Sequence, residues 1–212
     1  MTYGLTRTEL VALRRLRTPQ KIQDFLNTLP ANFELRGETY RSPRRVLRDK
    51  TAHCFEGALL AAATFLMRGE PPLLLDLWTD PKMPDGDHVV ALFRRRGYWG
   101  AVSKTNHAVL RYREPVYKTV RELALSYFHE YFLDDGRKTL RSFSRPFNLR
   151  SYLKRGWLTE EKDLHWLVRA LDRSPHEKIV PQAAVRAFRR AEPIEIAAGK
   201  LTEWSKKGKK LY

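Results

Sequence analysis

Cysteine is almost missing from this chain: one thiol, Cys54, stands among 212 residues. A single cysteine forms no internal disulfide, so nothing in the sequence asks for an oxidising compartment. Long apolar runs are missing too, and none reaches the roughly 18 residues that a bilayer-spanning helix needs. The start, MTYGLTRTEL, is polar and then basic, without the apolar stretch of a secretory signal. The expectation is a cytoplasmic protein that does not enter a membrane. There is no second cysteine for a zinc set, and FHEYF at 128–132 has one histidine where a zinc-binding helix needs two. No glycine loop of the kind that cradles phosphate occurs, so neither metal nor cofactor is expected.

Acidic residues are scarce as well. Against 24 Asp and Glu stand 40 Lys and Arg, for a net charge of +16. Such an excess attracts anions of every kind, from nucleic acid to acidic proteins. The basic clusters, RRLR (14–17), RSPRRVLRDK (41–50), RRR (94–96), RAFRR (186–190) and KKGKK (206–210), are spread along the chain. No helix-turn-helix, zinc-finger or RNP signature accompanies them, so a solvated basic surface is the plainer reading beside a nucleic-acid face.

What is present is enough apolar material for a core. Hydrophobic residues make up 42% and aromatics 11%, which excludes a disordered chain and suits one domain or a domain with an appendage. The five tryptophans read as core or cleft wall rather than stacking platforms. Thr6 with Glu9 is a capping-box pattern, and Thr18–Pro19 and Ser42–Pro43 each put an N-cap before a proline at the first helical position. From His53 to Met67 the text is Ala- and Leu-rich and predicts a buried helix, with Gly69 as its stop. The period then changes to strands: PLLLDLW (72–78), HVVALFRR (88–95) and YWGAVS (98–103), the last two forming a hairpin, with VLRYREPVY (109–117) as a further strand. Thr119 and Glu122 announce a helix through RELALSYFHEYFL. Helices are also expected over 158–173, with Glu160 and Glu161 near its positive end, and over 181–191, before a loosely held terminus. The order predicts an α+β fold, with a core over 1–135 and a helical extension over 136–212 packed on it.

Cys54 stands at the start of the buried helix, where free N–H groups and the dipole favour a thiolate. A cysteine nucleophile needs a base, and His88 at the head of its strand is the best placed. The hairpin brings Ser103 or Asn106 back opposite His88 to orient the ring. Asp87 points to the other face of the strand. His53 is set aside because neighbours on a helix diverge, and Glu56 reads as a first-turn carboxylate whose charge mildly opposes a thiolate. The competing reading is an inert thiol in an Ala-rich core.

A helix-start cysteine, a strand-start histidine and a polar residue at the end of the partner strand, carried by AHCFEGALLAA and DHVVALFRRRGYWGAVSKTN, resemble the transglutaminase-like superfamily over roughly residues 40 to 110. More narrowly they look like an uncharacterised bacterial group of it. The resemblance implies a papain-like fold: a central buried helix carrying Cys54 packed on an antiparallel sheet. It also implies Cys54 as nucleophile and His88 as base. Ser103 stands where that family has Asp, and Asn106 is the nearest amide-bearing substitute. The expected activity is cysteine-dependent acyl transfer on an amide- or thioester-bearing substrate such as a peptide. The alternative is a decayed site on a basic protein that binds nucleic acid or another acidic partner.

Overall fold

The computed structural model of the chain describes residues 2–212. The fold is α+β, built on one antiparallel sheet with helices on its faces. Four helices come first: α1 (Arg7–Arg15), α2 (Pro19–Thr28), α3 (Pro43–Asp49) and α4 (Cys54–Met67). The first three start where the sequence places their caps, with the side chains of Thr6, Thr18 and Ser42 accepting from the backbone N–H of Glu9, Lys21 and Arg45. In α4 every residue from Phe55 to Leu66 is buried, and Gly69 follows at φ +80°, a conformation that suits glycine.

Strands β1 (Leu73–Thr79), β2 (His88–Arg95) and β3 (Tyr98–Val102) follow, then β4 (Arg113–Tyr117), α5 (Val120–Ser126), β5 (Leu140–Ser144) and β6 (Phe147–Asn148). The chain closes with α6 (His165–Asp172), β7 (His176–Lys178), α7 (Gln182–Val185) and α8 (Pro193–Gly199). Strand order is β4-β3-β2-β1-β5-β7, with β6 also paired to β1. Alternation along β1 and β2 divides the core in two. Leu74, Val89, Ala91 and Phe93 meet α4 and the N-terminal helices. Leu75, Leu77, Val90 and Leu92 meet Leu123, Tyr127 and Tyr131 on the opposite face. Trp157 is fully buried and Trp204 nearly so. Among the described residues no helix is long and apolar enough to cross a membrane.

The later half departs from the sequence expectation. Residues 136–212 are not a helical extension: they give β5, β6 and β7 to the same sheet, with Leu140 and Phe143 buried against β1. The strand expected over 109–117 forms only from Arg113. Before it the backbone is engaged elsewhere, with Leu110 N–H donating to Glu130 Oε2 and Leu110 O accepting from Ser103 Oγ. The α5 helix stops at Ser126 and a 3₁₀ turn over Phe128–Glu130 follows, which buries Tyr127 and Tyr131. Residues 158–164 do not join α6. Asp163 is drawn to Tyr40 N–H and Arg45, and Leu164 N–H donates to Tyr40 O, so Glu160 and Glu161 lie outside that helix. The helix expected over 181–191 shrinks to α7. The terminus is not loose: Ala108 N–H donates to Leu201 O, and Glu203 N–H to Asn106 O.

Candidate active site

The first turn of α4 sets the site. His53, the residue before that helix, is extended at φ −96° and ψ −172°, and its N–H donates to Glu56 Oε2 at 3.1 Å. Because His53 lies off the helix, its ring is free to turn toward the next residue. Its Nδ1 stands 4.0 Å from Cys54 Sγ, and its Nε2 is 2.7 Å from Thr39 O. This corrects the expectation that His53 and Cys54 diverge, which holds only for two residues inside a helix.

Glu56 is fully buried and is more than a helix-start carboxylate. It accepts from Asn32 Nδ2, Thr39 Oγ1 and the N–H groups of Arg41 and His53, and so ties the loop over 32–41 to α4. Its carboxylate lies 3.5 Å from His53 Nε2.

His88 opens β2 opposite Leu77, and its Nε2 is 2.8 Å from Ser103 Oγ. The Ser103 hydroxyl spends its proton on Leu110 O at 2.6 Å, so toward His88 it can only accept. The neutral His88 ring therefore carries its proton on Nε2 and keeps a lone pair at Nδ1. Ser103 itself is held by a residue the sequence reading passed over. The carboxamide of buried Gln23 takes Ser103 N–H at 2.9 Å and donates to Ser103 O at 2.7 Å. No sequence pattern flags Gln23, which sits 80 residues away in α2.

Asn106 makes no hydrogen bond to His88 among the described residues. Its carboxamide oxygen accepts Trp204 N–H at 2.9 Å, which takes it out of the orienting role expected for it. The loop beyond Ser103 is thus laced to the C-terminal segment. Asp87 faces away from His88, accepting from Thr79 N–H and Oγ1 at 2.7 and 3.0 Å.

Cys54 is partly exposed. Together with His53, His88, Lys104 and Thr105 it lines a cavity of 240 Å³. A second cavity of 340 Å³ adjoins it through His88, walled by Asp85, Glu130, Tyr131 and Lys200. Burial favours the neutral thiol, but the neighbouring His53 ring and then the His88 ring, which favour the anion when protonated, hold the Cys54 pKa well below its ordinary value. Burial likewise opposes charge on His53, yet the bond to the sulfur, the charges of Cys54 and Glu56 and the Thr39 carbonyl push its pKa up to about 9. Lys104, whose ammonium donates to Leu29 O at 2.5 Å, has its pKa lowered to about 8 by burial. Among the described residues no group of three or more His, Cys, Asp or Glu is placed to hold a metal.

The chain matches no protein-family model, and no curated protein matches it.

Proposed function

We propose that the chain is a cysteine-dependent acyl-transfer enzyme, with Cys54 as nucleophile, His88 as base and Ser103 as the group that orients the base. The observation that carries this reading is the tautomer imposed on His88: the bond to Ser103 leaves Nδ1 as the basic nitrogen of a ring that lines the same cavity as Cys54. The order of these residues along the chain supports kinship with the transglutaminase-like superfamily. The lowered thiol pKa supports the same chemistry.

The thiol proton passes to His88 Nδ1, and Sγ attacks the carbonyl carbon of an amide or thioester. The carbonyl π pair moves onto oxygen, where the N–H of Cys54, in the first helical turn and without an intrahelical acceptor, is placed to stabilise it. Collapse expels the leaving group, which takes the proton from His88. Water or an amine then gives a proton to His88, attacks the acyl-enzyme and releases Cys54.

A second reading rests on Ser103, which brings no negative charge to His88. On that reading the fold is a binding scaffold whose +16 charge serves nucleic acid or another acidic partner. An acylating thiol probe separates the two. We expect stoichiometric labelling at Cys54, with a rate about tenfold or more lower in His88→Ala. Labelling that is absent, or equally fast in the variant, refutes the enzyme and leaves the scaffold. The scaffold predicts nucleic-acid affinity that falls linearly on a log–log plot against salt.

A further inference from the structure

Two imidazoles flank one sulfur, and their surroundings differ. His88 leans on an uncharged hydroxyl. His53 is surrounded by acceptors and anions. Its Nε2 faces Thr39 O at 2.7 Å, the Glu56 carboxylate of α4 at 3.5 Å and the Glu34 carboxylate of the preceding loop at 3.8 Å. Its Nδ1 faces Cys54 Sγ at 4.0 Å, and the edge of Tyr40 closes the remaining side with ring centroids 6.0 Å apart. Of the cations, Arg41 places its Nε 3.8 Å from Glu56 Oε1, and Lys104 lines the cavity beside Cys54. A ring with an acceptor or anion at each nitrogen is best satisfied when both nitrogens carry protons.

We propose that His53 is a standing imidazolium that keeps its proton throughout turnover and holds the Cys54 sulfur as thiolate, while His88 alone exchanges protons with the reacting groups. The carboxylate that is missing at position 103 is thus present on the other imidazole, as Glu56. The four residues His53-Cys54-Phe55-Glu56 contain the cation, the nucleophile and the anion that backs the cation. In that ion-paired state the proton that left the thiol rests on His88 Nδ1, and from there it leaves with the departing group. His53 gains and loses nothing; its charge lowers the energy of the sulfur anion before attack and when the acyl group leaves. The proposal rests on the acyl-transfer reading for its role in turnover, and on geometry alone for the charge state.

The test is the pH profile of iodoacetamide alkylation at Cys54 in wild type, His53→Gln and His88→Ala, with proton-coupled NMR of the wild-type histidine rings. The inference expects His53→Gln to raise the alkylation midpoint by about one to two pH units, so that the rate at pH 6 falls about ten- to a hundredfold while the alkaline plateau stays. A merely structural role lowers the plateau and leaves the midpoint in place. In wild type the His53 ring should remain protonated past pH 8. An unchanged midpoint in His53→Gln, or a wild-type His53 ring already neutral at pH 7, overturns the proposal, and the NMR result stands even if the variant does not fold. If the midpoint moves but acyl probes fail to label Cys54, the ion pair stands and the enzyme reading falls. If acyl labelling depends on His88 but the midpoint ignores His53, the enzyme reading stands and this proposal falls.

Discussion

Replacing Glu56 by glutamine is the sharpest test of how the site is held. The change keeps size and removes one charge. It also turns one carboxylate oxygen into an amide that donates. Every group facing Glu56 is a donor. Oε1 takes Thr39 Oγ1 and Arg41 N–H at 2.9 and 3.1 Å, and Oε2 takes Asn32 Nδ2 and His53 N–H, both at 3.1 Å. Whichever way the amide is turned, two donors lose their acceptor and a third donor is set against them. A hydrogen bond to a charged group contributes about 1.5–3 kcal/mol, and breaking a buried ionic contact by altering one partner costs about 3–5 kcal/mol. No solvent screening reduces these figures, because Glu56 has no exposed surface. We expect Glu56→Gln to lose about 3–5 kcal/mol, a large share of the roughly 5–15 kcal/mol that holds a domain together. For a chain of this size that is a fall in Tm of roughly 6–20 °C. Calorimetry reads it directly, with Glu177→Gln, a change to an exposed carboxylate, as the control that should barely move. A Glu56→Gln melting temperature within about 2 °C of wild type would show that the network around the loop over 32–41 carries little weight.

Two further expectations come from other parts of the fold. A methyl at Gly57 would stand 2.4 Å from Lys104 Cβ, so Gly57→Ala should destabilise by about 1–3 kcal/mol in spite of alanine's better helix propensity; a raised melting temperature would contradict the packing. Asp76 is almost wholly buried, and burial, opposed by its bond to His176, lifts its pKa to about 6. A carboxyl with a raised folded-state pKa favours folding while protonated, and that contribution fades as pH climbs from about 4 to about 6. Urea unfolding of wild type and Asp76→Asn should therefore diverge in favour of the variant across that window, by about 3 kcal/mol; parallel curves throughout would refute the assignment.

Much of the first hundred residues was legible in the sequence because the signals are local. Thr6, Thr18 and Ser42 cap their helices with bonds three residues long, and the Arg-Arg-Gly connection closes a two-stranded hairpin within its own text. The strands between residues 140 and 178 were not legible, although α6 falls inside the helix expected over 158–173. Leu140–Ser144 and His176–Lys178 are strands because β1 offers them an edge, and runs so short have no period of their own. Cys54 and His88 could be placed together through a resemblance, whereas the roles of Gln23 and Glu56 depend on partners 80 and 24 residues away. His53 was discounted by a rule about helices applied to a residue just outside one.

The clamp that Gln23 places on Ser103 grips main-chain atoms, so it would hold any side chain at that height above the imidazole. What selects serine is the narrow gap beyond it, with a ring N–H on one side and the Leu110 carbonyl on the other. Only a group that accepts from one neighbour and donates to the next spans that gap; an aspartate there would press its anion against a carbonyl oxygen. The hydroxyl satisfies both neighbours at once, and Ser103→Asp is expected to unseat the imidazole rather than steady it.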